Sequence, residues 1–231
     1  MSSIAENLSL IREQIESCAI ENGRNTHSIS LLAVSKTRPA EDLRTAYAEG
    51  QRDFGENYLQ DAMEKIEVLQ DLDICWHFIG PMQSNKTRTV AEHFNWVHTV
   101  DRLKIAKRLS EQRPEGMPPL NICIQVNISG EESKSGCSPE QLPELATEII
   151  KLPNLKLRGL MTIPKATDDS SEQQQAFSRL RNLQEQLKST EPSLDTLSMG
   201  MSGDMEAAIA EGATIVRIGT AIFGPRAPKQ N

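Results

Sequence analysis

Lys36 ends the apolar run Leu31-Leu32-Ala33-Val34-Ser35, and a second such run near the C-terminus ends in Val216-Arg217-Ile218-Gly219-Thr220-Ala221. A lysine at the end of a buried strand can attack an aldehyde and form an imine once part of its amine is neutral. A nearby cation such as Arg217 lowers the amine's pKa by repulsion, and apolar walls lower it further by desolvation. Met199-Gly200-Met201-Ser202-Gly203-Asp204 precedes a helical pattern through Glu206, Ala207 and Ile209. Its glycines permit close backbone approach, Ser202 offers a hydroxyl and a cap, and a helix N-terminus favours an anion. With Gly219 and Thr220 this makes a phosphate cup beside an imine-forming amine. Each part also has a plainer reading: a lysine snorkelling into solvent, and a glycine turn with a capping serine.

Other candidates stand at the ends of apolar runs: Glu56, Asn57, His77 and Asn127. In Cys75-Trp76-His77-Phe78-Ile79-Gly80 the histidine falls on the face opposite both aromatics, where it lines a ligand pocket or serves as a core histidine. Ser133-Lys134-Ser135-Gly136 reads as a mobile lid carrying a second amine, Lys134, or as a solvated loop. His27, His93 and His98 read as structural or exposed. The four cysteines, Cys18, Cys75, Cys123 and Cys137, lack CxxC spacing, so they read as ordinary thiols, and no metal site is expected.

These residues need a frame that brings distant strand ends together. Eight apolar runs fall at 29–35, 52–56, 74–80, 96–100, 121–128, 155–163, 194–199 and 214–219. Most are rich in β-branched or aromatic residues and alternate little, as parallel strands covered on both faces do. Helix-length patterns lie between them, including one expected to start at Ser138-Pro139 with a capping serine and a proline in its first position. Ile4, Leu8, Ile11, Ile15 and Cys18 share one face of a leading helix over 1–23, with Ser3 and Glu6 at capping-box spacing and Gly23 as a stop. Eight strand–helix units predict an α/β fold of the TIM type, a single (β/α)8 barrel over 1–231 with an extra N-terminal helix and a frayed tail at 226–231.

Strand period then puts Leu32, Val34 and Lys36 on the inner face, and likewise Ile215, Arg217 and Gly219. The 231 residues suit one domain of this kind. The net charge of −7 with no basic run argues against nucleic acid, and no apolar stretch approaches the roughly 18 residues of a membrane span. The N-terminus lacks a secretory pattern, so a cytoplasmic protein, monomeric rather than dimeric, is expected.

The blocks Ala33-Val34-Ser35-Lys36-Thr37, Phe54-Gly55-Glu56-Asn57-Tyr58, Trp76-His77-Phe78-Ile79-Gly80, Ser133-Lys134-Ser135-Gly136, Arg158-Gly159-Leu160-Met161, Ser198-Met199-Gly200-Met201-Ser202 and Val216-Arg217-Ile218-Gly219-Thr220 occur in this order. Together they resemble, almost end to end, the pyridoxal phosphate homeostasis proteins. The resemblance implies a barrel like the N-terminal domain of alanine racemase, with pyridoxal 5'-phosphate joined to Lys36 as a Schiff base. It also implies that Ser202, Gly219 and Thr220 hold the phosphate, that Arg217 faces the pyridine nitrogen, and that Asn57, His77 and Met199 line the ring pocket. Arg38 stands where some members carry a second lysine, which leaves no accessory amine there.

If Arg217 donates to the ring nitrogen, that nitrogen must accept, and the ring is a weaker electron sink than one paired with a carboxylate. Racemisation also needs a base on each face of the substrate carbon. In the racemases that the barrel resembles, a tyrosine from an additional β domain supplies the second, whereas Tyr47 and Tyr58 here fall in helical patterns. The expectation is a noncatalytic pyridoxal phosphate carrier in vitamin B6 homeostasis, with apo pyridoxal-phosphate enzymes as recipients. A pyridoxal-phosphate racemase or lyase, and a Schiff-base sugar-phosphate aldolase, stay open beside it.

Overall fold

The computed structural model of the chain describes residues 3–131 and 134–225. Ser133 and the expected frayed tail at 226–231 lie outside the described residues. Eight strands follow one another around a closed parallel barrel: β1 (Ser30–Val34), β2 (Asp53–Glu56), β3 (Cys75–Phe78), β4 (Trp96–Val100), β5 (Leu120–Gln125), β6 (Leu155–Met161), β7 (Thr196–Ser198) and β8 (Ile215–Ile218). β1 closes the ring on β8, with Leu32 opposite Arg217 and Ala33 opposite Ile218. Each apolar run holds one strand, and several strands are shorter than their runs. After β5, for instance, the Val126 amide still donates to Met161 O, while Val126 pairs in an isolated bridge with Cys137 and the Asn127 amide donates to Cys137 O.

The barrel sorts side chains by strand period. Leu32, Ile79 and Ile215 pack together inside it with Val34 and Trp96 against them. Their neighbours Ala33, Phe54, Phe78, Val97 and Val216 point the other way, into the large core between barrel and helices. Two-sided burial of this kind is why the runs alternate so little in the sequence.

The leading helix α1 (Ile4–Glu21) starts on the expected capping box: the Ser3 Oγ accepts from the Glu6 amide at 3.2 Å, and the Ser3 amide donates to Glu6 Oε2 at 2.8 Å. It buries Leu8, Ile11, Ile15, Cys18 and Ala19. Helices α2 (Ala40–Ala48), α3 (Leu59–Val68), α4 (Thr87–His93), α5 (Leu103–Gln112), α6 (Leu142–Ile150), α7 (Ser170–Lys188), α8 (Met205–Ala210) and α9 (Thr220–Phe223) follow the strands in turn. The helix expected at Ser138 begins four residues later. Ser138 and Gln141 bond reciprocally in a turn ahead of α6, and Pro143, which has no N–H to give, occupies the first turn of the helix proper. Among the described residues no helix is long and apolar enough to cross a membrane.

Candidate functional site

A cleft of about 340 Å³ opens where the C-terminal ends of the strands converge, the usual place for a site in this architecture. Lys36, Asn57, Ser202, Arg217, Gly219 and Thr220 all line it. A larger hollow, about 540 Å³, lies at the opposite end beside α1 and includes Arg12, Gln51, Arg52 and Asp53. Its cations already serve backbone carbonyls: Arg12 Nη1 donates to Glu49 O and Arg52 Nη1 to Tyr47 O, each at 2.8 Å. With no amine nucleophile among the described residues that line it, the hollow cannot form an imine, and the smaller cleft is the chemical one.

The backbone on both sides of Lys36 is held by a buried ionic cluster on the outer face of the barrel. Lys65, on α3, donates to Ser35 O at 2.8 Å, Glu56 Oε1 at 2.8 Å and Asp61 Oδ2 at 2.9 Å. Ser35 Oγ donates to Glu56 Oε1 at 2.6 Å, and the Thr37 amide to Asp61 Oδ2 at 3.0 Å. Thr37 adopts φ 63°, a left-handed conformation that a β-branched residue rarely takes unless its surroundings impose it. Thus the residue before the lysine is bonded outward and the residue after it is turned sharply, which sends Lys36 into the cleft. Glu56 was expected among the mouth groups; it points instead to the helix layer, as Phe54 does on the same face, and is fully buried. Burial raises its pKa, with Lys65 and Ser35 opposing.

Arg217 is pinned from below. Nη1 donates to Ser198 Oγ and Nη2 to Thr162 O, both at 2.9 Å, while its amide donates to Gly200 O at 2.9 Å. Burial pushes the guanidinium down to about 10, with Asp204 opposing, so it is cationic at neutral pH. Gly200 has φ 95°, and a Cβ on it would stand 2.6 Å from Ala208 Cβ, so only glycine lets the loop turn onto α8. The capping role expected of Ser202 is not realised: Asp204 occupies the N-cap position of α8 without a side-chain cap bond, and its Oδ1 instead accepts from the Met201 amide at 2.6 Å, closing the loop ahead of the helix. Ser202 is exposed at the cleft, leaving its hydroxyl for a ligand. On the facing side α9 begins at Thr220, where the first N–H groups of a helix have no intrahelical acceptor.

His77 and Met199 stand apart from the six. Ser198 points into the barrel, so Met199 points out and is completely buried in the barrel–helix core. His77 does face inward, but Ile79, two residues later on the same face, takes the place at the cleft. His77 lies one layer deeper, stacked on Trp96 with ring centroids 5.4 Å apart. His98 is likewise wholly buried inside the barrel. Lys134 is paired with Glu131 at 2.8 Å and is not among the cleft-lining residues.

Val34, Arg38, Ile79, Ile163, Met201 and Gly203 complete the lining. Period two from Lys36 and from His77 carries the signal for Val34 and Ile79. Met201 and Gly203 belong to the glycine loop already singled out and Ile163 ends the run 155–163, whereas Arg38 arrives on a loop with no periodicity to place it. Arg38 also donates to Gly224 O and Pro225 O, tying the segment after α9 to the rim. The cleft lining contains no imidazole, carboxylate, thiol or phenol among the described residues. Chemically, the cleft offers one primary amine, two guanidinium groups, small hydroxyls and exposed amides, a set suited to a phosphorylated aldehyde.

Residues 2–227 match the family described as "Alanine racemase, N-terminal domain". The chain is 62% identical over 226 residues to the pyridoxal phosphate homeostasis protein of Pseudomonas aeruginosa, covering 98% of this chain and 97% of that one. It is 58% identical to the protein of the same name from Vibrio cholerae, covering 100% of each. Among solved structures it resembles PipY of Synechococcus elongatus PCC7942 with PLP bound, at 39% identity and a TM-score of 0.84, over 96% of this chain and 100% of that one. Alanine racemase from Corynebacterium glutamicum shares the fold at 16% identity and a TM-score of 0.70, with 99% of this chain matching 62% of the racemase.

Proposed function

The chain belongs to the alanine racemase N-terminal-domain family and, within it, to the pyridoxal phosphate homeostasis proteins; from that premise we propose that it holds pyridoxal 5'-phosphate on Lys36 as a Schiff base and serves vitamin B6 homeostasis without catalytic turnover. The observation that carries this reading is the composition of one cleft: the Lys36 amine, the pinned Arg217 guanidinium, Ser202 and Thr220 around Gly219, and, among the described residues, no second base. The cleft falls within the roughly 300–1,000 Å³ of small-molecule sites, and its donors suit the group. Ser202, Gly219 and Thr220 would receive the phosphate, Lys36 the aldehyde carbon, and Arg217 the ring nitrogen.

When bound, pyridoxal phosphate supplies an aldehyde for imine formation and a ring that withdraws electrons strongly only when its nitrogen is protonated. Arg217 can donate and cannot accept, so it keeps that nitrogen an acceptor. Among the described residues Lys36 is the one lining side chain able to move a proton at a substrate carbon, and it serves a single face. Tyr58 precedes α3 and is 54% exposed, and Tyr47 Oη accepts from the Asp73 amide; neither lines the cleft. Apo pyridoxal-phosphate enzymes are the recipients in this reading, and a racemase or lyase is the runner-up.

Loaded protein is expected to be yellow, and borohydride should bleach it and fix the cofactor's mass on the Lys36 peptide. Lys36→Ala should lose the adduct entirely. A variant that keeps the adduct, or wild-type protein that racemises or eliminates amino acids at ordinary enzymatic rates, contradicts the corresponding half of the proposal. Handover to an apo-enzyme behind a trap for free aldehyde tests delivery.

A further inference from the structure

We propose that Ser198, His98, His77 and Asp53 form one directional hydrogen-bond chain that runs through the barrel and positions Arg217 at the cleft from the opposite mouth. Four contacts make it continuous. Arg217 Nη1 lies 2.9 Å from Ser198 Oγ, Ser198 Oγ 2.7 Å from His98 Nδ1, His98 Nε2 2.9 Å from His77 Nδ1, and His77 Nε2 3.0 Å from Asp53 Oδ1. The three middle residues are buried, and only Asp53 reaches the far hollow, with its side chain 38% exposed.

The two ends dictate the direction. A guanidinium only donates, and an ionised carboxylate only accepts. Ser198 therefore accepts from Arg217, and its own proton goes to His98 Nδ1. His98 then donates from Nε2 to His77 Nδ1, and His77 donates from Nε2 to Asp53. Every donor is used once, and both imidazoles are neutral with the proton on Nε2. The opposite polarity would set a bare His77 Nε2 lone pair against the Asp53 carboxylate. Protonated His77 would reverse His98 and leave the Ser198 proton outside the chain.

Burial lowers the pKa of both imidazoles, which favours the neutral arrangement. Cys75 Sγ lies 3.3 Å from His77 Nε2, and burial together with Asp53 pushes its thiol well above the ordinary range, so it stays protonated beside the chain. Trp96, stacked on His77 at an interplanar angle of 7°, holds the ring in line.

Aligned this way, each hydroxyl or N–H dipole turns its negative end toward Arg217. The chain thereby supports a buried cation, and with Thr162 O it fixes two edges of the guanidinium. Ser198, His98 and His77 are accordingly positioning residues for Arg217. This rests on the proposal that Arg217 faces the cofactor ring.

The test uses the full chain, free and loaded with pyridoxal phosphate. Two-bond ¹⁵N–¹H correlation of the histidine rings should find His77 and His98 protonated on Nε2 alone at neutral pH, in both forms. The pH midpoint of the Lys36 imine absorbance should shift by about 0.5 unit or more in Ser198→Ala and in Asp53→Asn, and Ser198→Thr should restore it. Asp53→Asn changes a partly exposed group and keeps the test informative if Ser198→Ala misfolds. His98 protonated on Nδ1, or a wild-type midpoint in both variants, overturns the chain. Loaded protein without an imine band overturns the cofactor reading, and the ring tautomers then decide the chain alone.

Discussion

Lys65→Met is expected to lower stability by about 3–5 kcal/mol, because removing one partner of a buried ion pair strands the other. Lys65 and Glu56 are 4% and 0% exposed and 2.8 Å apart, and Glu56 Oε2 has no hydrogen-bond partner in the structure. The stranded carboxyl would retain only Ser35. At roughly 2–4 °C per kcal/mol for a chain of this size, Tm falls by about 6–20 °C.

The pH dependence has a definite sign. Glu56 is raised above its ordinary 4.5 in the folded protein, so its contribution favours folding fully below 4.5 and is lost as pH rises through the folded value. Losing Lys65 raises that folded value further. The defect measured by chemical denaturation should therefore be smaller near about pH 5 than near about pH 8. Adding Glu56→Leu to Lys65→Met should recover most of the loss, since a buried pair replaced by apolar side chains is often near neutral. A single variant within about 1 kcal/mol of wild type would contradict the cluster's role. The same lysine holds the Ser35 carbonyl next to Lys36, so cofactor retention should weaken with it.

Gly80→Ala is the second large effect. A Cβ on Gly80 would lie 2.0 Å from Asn57 O and 2.7 Å from Asn57 C. Both atoms are backbone, so no rotamer relieves the clash and the β2–α3 connection must move. Overpacking of this sort destabilises by about 1–3 kcal/mol or more. Because Asn57 lines the cleft, pyridoxal phosphate affinity should fall along with Tm. Gly203→Ala is the control: a Cβ there meets nothing within 4 Å although the residue lines the same cleft. Its Tm should remain within about 0.5 kcal/mol equivalent of wild type. Equal Tm values for Gly80→Ala and Gly203→Ala would contradict the close approach.

Much of the site was legible because barrel strands impose period two on residues that share a mouth. Once Lys36 is taken as inward, Val34 and Leu32 follow, and Arg217 brings Ile215 and Gly219 by the same rule. The rule needs the right phase and the right depth. Glu56 is one residue out of phase and faces the helices; Met199 is out of phase with Ser198. His77 is in phase but one layer too deep. Depth depends on how the strands are staggered around the barrel, and that stagger arises from pairings between residues far apart in the chain.

What the order of residues determined alone is local: eight strands separated by helices, a capped first helix, a lysine and a glycine loop at strand ends, and a family resemblance carried by contiguous blocks. Local hydrogen bonding and side-chain period act over a few residues, so they leave their mark in a linear pattern. The tertiary structure decided which groups became partners across the ring. Lys65 clamps the strand that bears Lys36, and Ser198, His98 and His77 stand in line between Arg217 and Asp53. Those contacts span up to 100 residues and depend on closure of β8 against β1 and on burial, which only the assembled barrel creates.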